Sequence, residues 1–190
     1  MSNTSATGGY LTPSTTALEG QALLDFFQAW LVGLTNLAPT NVRPRWQREP
    51  GNIPLETADW IAFGIARRES DVFTAEVYTA SNPGYNETRR HEILNFAVSI
   101  YGPNADATAQ QLREGMQITQ NLEPLNVASM GLIDSGDLIT LPELVKDKWY
   151  YRIDFTFRIR RQVVTGYAVQ RIASSNVQLN NEHYVTNINV

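Results

Sequence analysis

The feature that most constrains the fold is the stretch of residues 149–161, where apolar and polar side chains alternate strictly. A period of two is typical of a β-strand, because successive side chains of a strand point to opposite faces. The sequence therefore predicts a central strand with one buried face and one polar face that carries arginines, as in an antiparallel sheet covered on one side. The predicted buried positions are Tyr151, Ile153, Phe155, Phe157 and Ile159.

Composition narrows the class of protein. With 43% hydrophobic residues among 190, the chain has enough apolar material for a core, and its 18% charged residues lie below the usual ~25%. Such a low charge content indicates that part of the surface is an interface. The absence of cysteine excludes disulfides, and the net charge of −4 argues against bulk nucleic-acid binding. The N-terminus lacks the pattern of a signal peptide, so we expect a soluble protein made in a cytoplasm.

Two helices are predicted. The first begins after Thr16, whose spacing from Glu19 matches a capping box, and extends to about Leu34. The second covers residues 105–122 and is expected to end before Pro124. The apolar stripe of the first helix is Leu23, Phe26, Phe27, Trp30 and Leu34.

Strands fill most of the remaining sequence. Further strands are predicted at residues 42–46 (an edge strand), 59–67, 71–80, 87–101 and 126–133. Asn82-Pro83-Gly84 predicts a type II turn that joins two of them as a hairpin. The spacing of Thr140 and Glu143 predicts one helical turn, and Gly166 is expected to break the central strand.

The order α-β-β-β-α-β-β predicts an α+β fold, in which two helices pack on an antiparallel sheet between extended N- and C-terminal arms. We assign residues 1–15 to a flexible N-terminal arm and residues 174–190 to a C-terminal arm. Residues 16–173 are predicted to form a single domain.

No catalytic chemistry is apparent in the sequence. His91 and His183 lack the spacing of a metal or acid–base motif, and no nucleophile-elbow or phosphate-loop pattern occurs. The sequence therefore predicts neither an enzyme nor a cofactor or metal site.

Arginines cluster instead, although the chain is acidic. Edge charges that prevent aggregation, or ordinary cross-strand ion pairs, would account for them. Arginine is also favoured at protein–protein interfaces, because its planar fork pairs with carboxylates. On the second interpretation, the candidate interface residues are Arg43, Arg45, Trp46, Arg89, Arg90, Arg158, Arg160 and Arg161.

The combination of several segments resembles the neck or tail terminator proteins of tailed bacteriophages. These segments lie at residues 17–24, 42–47, 60–65, 141–145 and in the alternating strand. The resemblance implies a virion protein that caps the head-proximal end of the tail tube as a ring, stops its polymerisation and presents a surface for head joining.

The partners that the resemblance implies are other copies of the chain, in a ring that is expected to be sixfold, the tail tube protein and a head-completion or connector protein. No membrane is involved, and the genome would pass through the ring without sequence-specific binding. Assembly would take place in the bacterial cytoplasm, and the finished protein would lie in the tail or neck of the virion.

Two alternatives remain open at the level of sequence. The first is another part of the same machine, either a different head–tail connector or a tail tube subunit. The second is a small enzyme or ligand-binding module with an aromatic site around Trp46 and Trp60.

Overall fold

A computed structural model describes residues 8–47, 51, 53–55, 57–79, 84–145, 147–169, 176–181 and 184–189. These residues form an α+β fold, as predicted, with three α-helices rather than two. The helices are α1 (Gly20–Thr35), α2 (Ala105–Gly115) and α3 (Thr119–Val127).

The strands form one large sheet and two small hairpins. In the described residues, the seven-stranded sheet has the order β1-β2-β4-β9-β5, while β3 pairs with β4 and β6 pairs with β9. β1 pairs with β2 in parallel, whereas the pairs β2–β4, β3–β4, β5–β9 and β6–β9 are antiparallel, so the sheet is mixed. The strands are β1 (Val42–Pro44), β2 (Trp60–Ser70), β3 (Ala75–Thr79), β4 (Gly84–Tyr101), β5 (Met130–Ser135), β6 (Ile139–Thr140), β7 (Glu143–Val145), β8 (Lys148–Tyr150), β9 (Arg152–Val169), β10 (Asn176–Asn181) and β11 (Tyr184–Asn189).

The central strand, β9, confirms the predicted alternation. Ile153, Phe155, Phe157 and Ile159 are buried, while the residues between them are exposed or half-buried. Tyr151 was wrongly assigned to the buried face, since its side chain is 44% exposed. The reason is that β8 pairs with β7 in a separate hairpin, so the chain joins the large sheet only at Arg152.

The core lies between this face of the sheet and the helices. Phe157 stacks on Phe96 of β4 at 4.6 Å between ring centroids, and Phe96 lies 4.4 Å from Phe27 of α1. Trp30 contacts Phe157 edge-on and donates its indole N–H to the Asn121 carbonyl, which ties α1 to α3. The predicted stripe of α1 is therefore the face that packs on the sheet.

The N-terminus of α1 lacks the predicted capping box. Glu19 is the N-cap residue, but no side chain caps the helix there. The Glu19 carboxylate instead accepts hydrogen bonds from Arg68 and Arg161. Charge-assisted bonds to two guanidinium groups are stronger than a neutral bond to a backbone N–H, and they hold the carboxylate on the sheet.

The predicted second helix is two helices. The chain leaves α2 after Gly115, a poor helix former, and Asn121 donates a hydrogen bond to the Gly115 carbonyl. Pro124 lies inside α3 rather than beyond the helix, and α3 ends three residues later at Val127.

Two further expectations were wrong. Residues Thr140 and Glu143 belong to strands β6 and β7, not to a helical turn, and Glu143 pairs with Arg152 instead of capping. Gly166 lies within β9 and does not break it, and a glycine is needed there because a side chain would overlap the hydroxyl of Tyr85. The predicted hairpin is confirmed by the pairing of β3 with β4, whereas Asn82 and Pro83 of its turn lie outside the described residues.

The chain divides into two compact units. One comprises Met1–Thr16, Ala75–Arg89 and Val164–Val190, and the other comprises Ala17–Thr74 and Arg90–Val163. In the first unit, Thr15 forms an isolated bridge to Gly166, and the C-terminal segment forms the hairpin β10–β11. The single domain over residues 16–173 and the two flanking arms stay predictions. The core and most candidate interface residues belong to the second unit.

Candidate protein interface

The face of the sheet that points away from the helices carries most of the candidate residues. On β9, Asp154, Thr156, Arg158 and Arg160 alternate with the buried positions. The matching positions of β2 and β4 are mostly small or polar, with the stacked pair Trp60 and Tyr101 at one end and Ile93 at the other. We call this surface the arginine face. It consists of Arg43, Arg45, Trp46, Arg67, Arg152, Arg158 and Arg160.

A polar chain crosses the arginine face. Arg45 donates to the Ser99 hydroxyl, which donates in turn to Asp154. Arg152 forms a bidentate pair with Asp154, with N···O distances of 2.7 and 2.5 Å, and also reaches Glu143. Burial raises the pKa of Asp154, but hydrogen bonds from Arg152 and Ser99 outweigh it and hold the pKa below its usual value. Asp154 therefore stays charged and fixes both arginines.

Trp46 projects from this surface. Its side chain is 70% exposed and its backbone has φ +57°, a left-handed conformation that is unusual for a bulky residue. The indole rests on Gly64, because a Cβ at that glycine would lie 2.6 Å from the Trp46 ring. Backbone strain of this kind costs roughly 1–3 kcal/mol and clusters at functional sites. The structure thus holds a large aromatic side chain in an exposed position.

Trp46 and Trp60 line one cavity, as the aromatic-site alternative requires. Its volume is about 180 Å³, and Pro44, Ile53 and Pro54 complete its apolar wall. Small-molecule pockets usually measure roughly 300–1,000 Å³. The cavity is therefore too small for a typical ligand site and better suited to a single side chain of a protein partner.

The other end of the arginine face holds Arg158 and Arg160. Arg158 makes a two-pronged contact with Asp134, and these hydrogen bonds lower the pKa of Asp134 although both side chains are largely in water. Arg160 is exposed, and within the described part of the chain no ion pair is formed by it. It borders a shallow depression with Ile93, His91 and Glu69.

Arg161 belongs to the opposite, buried face of the sheet. Its side chain is 1% exposed and bonds Glu92 at 2.7 Å, Glu19 at 2.6 Å and the Leu18 carbonyl at 2.6 Å. Arg68 completes the cluster, 2.8 Å from Glu19 and 3.7 Å from Glu92. Burial raises the pKa of Glu19, but the bonds from Arg68 and Arg161 prevail and lower it. This cluster joins α1 to the sheet, so Arg161 has no surface to offer a partner.

The remaining candidates occupy separate places. Arg43 is half-buried near Trp46 and donates to the Thr40 carbonyl. Arg89, in the first unit, pairs with Glu87 at 2.6 Å. Arg90 is half-buried on β4. The structure therefore gathers Arg43, Arg45, Trp46, Arg158 and Arg160 on one face and leaves out Arg89, Arg90 and Arg161. The interface role itself stays a prediction.

Sequence reasoning missed the polar residues that hold these arginines. Glu92 could have been found, because it lies in phase with the apolar positions of β4 and should therefore be buried with a partner. Arg161 is likewise in phase with the apolar positions of β9. Ser99 and Asp154 gave no such signal, since their partners come from distant parts of the sequence.

The described residues contain neither a membrane-spanning helix nor a metal-ligand cluster. None of their helices is long and apolar enough to cross a membrane. No three of their His, Asp or Glu side chains come together as metal ligands.

Fold and surface together define an α+β protein whose exposed sheet face presents tryptophan and arginine, the residue types that dominate protein–protein contacts. A family model described as phage neck terminator protein matches residues 21–183, and the chain belongs to that family. It is a structural protein of the phage neck. A search of curated proteins finds no significant match to the sequence.

Proposed function

We propose that the protein caps the head-proximal end of a phage tail tube as a ring of six copies, ends tube polymerisation and forms the surface on which the head joins. The family match over residues 21–183 carries this proposal. Its partners are then neighbouring copies, the tail tube protein and a head-completion or connector protein. The ring forms in the host cytoplasm, involves no membrane, and lets the genome pass without sequence-specific contacts.

The margins of the large sheet support a terminating role. Its two 18-residue strands, β4 and β9, are interior, whereas the strands at its margins are two to six residues long. β1 ends at Pro44, which has no N–H to offer a further strand, and β5 has an irregular register between Leu132 and Asp134. Such edges are poor templates for another strand. This property suits a cap, because a cap must stop polymerisation of the tail tube.

We assign the contact surface to the arginine face. Tryptophan and arginine account for many of the residues that dominate binding energy at interfaces. Arg45 and Arg152 are held by Asp154, so little side-chain freedom is lost when a partner binds. Trp46 and Arg160, both exposed, then provide the contacts themselves.

Electron microscopy of tails assembled with and without this protein tests the proposal. Tails made without it should be overlong and should fail to join heads, while tails made with it should end in a ring. Tails of normal length that join heads in its absence would contradict the proposal.

The polymers formed by the purified protein separate the closest alternative. A tube subunit would form long helical filaments, whereas a cap should remain a monomer or closed ring, as heterologous contacts close only when the rotation per step divides the circle. Mass photometry of the free protein measures this directly. The small volume of the Trp46–Trp60 cavity disfavours the alternative of a ligand-binding site there.

A further inference from the structure

The helix side of the compact unit that carries the arginine face has an apolar surface of its own. A groove of about 490 Å³ runs between α1 and α3, and we call it the helix groove. Val127 on its rim is 88% exposed, and the position of a Cβ on Gly33 has no atom within 4 Å. The helix groove is lined mainly by Ala29, Trp30, Gly33, Asn121, Pro124 and Val127.

The two layers differ in the sign of their charge. Helices α1 to α3 contain one arginine, no lysine and four carboxylates, namely Arg113, Asp25, Asp106, Glu114 and Glu123. The arginine face has six arginines, and five carboxylates pair with them or border the same depression. These are Glu69, Asp71, Asp134, Glu143 and Asp154. One layer is therefore net negative and the other net positive, although the whole chain carries −4.

The arginine face and the helix layer also differ in shape. The arginine face presents an exposed indole, Trp46, and the helix layer presents a groove with an open glycine in its wall. On α1, Asp25 lies one helical turn before Ala29 and two turns before Gly33, on the same side of the helix. Glu123 of α3 lines the helix groove directly. Carboxylates therefore flank the apolar floor of the groove. Every copy of the chain thus carries both a basic aromatic surface and an acidic apolar groove.

We propose that the arginine face of one copy docks on the helix groove of the next copy, with Trp46 entering the groove. This contact rests on the proposed ring and specifies how its subunits meet. The contact is heterologous, since two different surfaces join. Each copy in the ring therefore uses its arginine face on one neighbour and its helix groove on the other. Opposite charges fix the orientation of the pair and oppose docking of like surfaces.

Charge reversal on each surface in turn tests the contact. One variant carries Arg67→Glu and Arg160→Glu, which leaves the Arg158–Asp134 pair intact, and the other carries Asp25→Lys and Glu123→Lys. Each should stay folded by circular dichroism and lose ring formation on tail tubes. An equimolar mixture should recover rings in which the two variants alternate, because an acidic sheet face then meets a basic helix layer at every second contact and the unmutated surfaces meet at the others. Gln162→Glu, exposed on β9 but outside the arginine face as defined, is the control.

The outcomes separate this contact from the function it serves. Wild-type rings together with normal rings from either variant alone would overturn the contact and leave the capping function standing. Folded variants that fail both alone and mixed would also overturn it. A wild-type protein that forms no ring on tubes would instead overturn the proposed function, and the contact with it.

Cysteine pairing gives a second measurement that does not depend on removing charges. The chain has no cysteine, so Gln47→Cys beside Trp46 and Val127→Cys in the helix groove introduce unique thiols. Oxidised on tail tubes, a mixture of the two variants should form disulfide-linked dimers, while neither should do so alone. Dimers of a single variant would show an isologous contact and overturn the proposal, as would the absence of dimers from the mixture when rings are present.

Discussion

Replacing Arg161 by methionine tests the buried ion cluster that joins α1 to the sheet. The substitution keeps much of the side-chain volume but removes every hydrogen bond to Glu92, Glu19 and the Leu18 carbonyl. Glu92, only 5% exposed, is left with Arg68 as its remaining charged partner at 3.7 Å. The Glu92 carboxylate is then left in a poorly solvated site with one weak ion pair.

Removing one partner of a buried ion pair costs about 3–5 kcal/mol. Arg68 still compensates Glu92 in part, so we expect a loss near 3 kcal/mol in the free energy of unfolding for Arg161→Met. At roughly 2–4 °C per kcal/mol for a chain of this size, the midpoint of thermal unfolding should fall by about 6–12 °C. Arg161→Met combined with Glu92→Leu should recover most of this loss, because an apolar pair can replace a buried ion pair without penalty.

Urea unfolding of the wild type, the two single variants and the double variant measures the coupling between these residues. Arg158→Met is the matched control, since Arg158 lies on the same strand but pairs with Asp134 in water, and it should leave the midpoint almost unchanged. A loss below about 1 kcal/mol for Arg161→Met, or a double variant no more stable than the single, would refute the reasoning.

Three further predictions follow from other contacts. Because folding lowers the pKa of Glu19 below its usual 4.5, the free energy of unfolding should decrease as pH falls from about 4.5 through the folded-state pKa, and Glu19→Gln should weaken that dependence in thermal melts. Phe157→Ala should cost about 3–5 kcal/mol in urea unfolding, whereas Gln162→Ala, exposed on the same strand, should not. Gly166→Ala should displace Tyr85 and increase cleavage of the N-terminal segment in limited proteolysis.

The elements with strong periodicity could be predicted from the sequence because burial alone determines them. The apolar positions of β4 and β9 and the stripe of α1 pack where the pattern places them. The failures arise where a distant residue decides the local structure. Position 166 is a glycine because Tyr85 approaches it and not because the strand ends there, and the Glu19 carboxylate bonds Arg68 and Arg161 instead of capping α1.

The candidate interface was predictable in part for the same reason. Alternation separates Arg158 and Arg160 from the core, and the structure places them on the arginine face with Arg45 and Trp46. The alternation also placed Arg161 in phase with the apolar side chains, but a cluster of arginines in the sequence does not show which of them find buried carboxylates. Those partners, Glu19 and Glu92, are separated from it by 142 and 69 residues.

Strand β9 has a consequence for how such a protein can diverge. Its odd-numbered positions from 153 to 163 are buried, and its even-numbered positions from 154 to 162 are not. Since we propose the arginine face as the contact surface, we expect substitutions at its even positions on β9, 154 to 160, to retune partner choice while the core is preserved. Neck proteins of different phages could then exchange specificity through point mutations in one strand. A single-residue insertion or deletion would interchange the two sets over the rest of the strand. Lineages should therefore vary β9 by substitution and keep its length fixed.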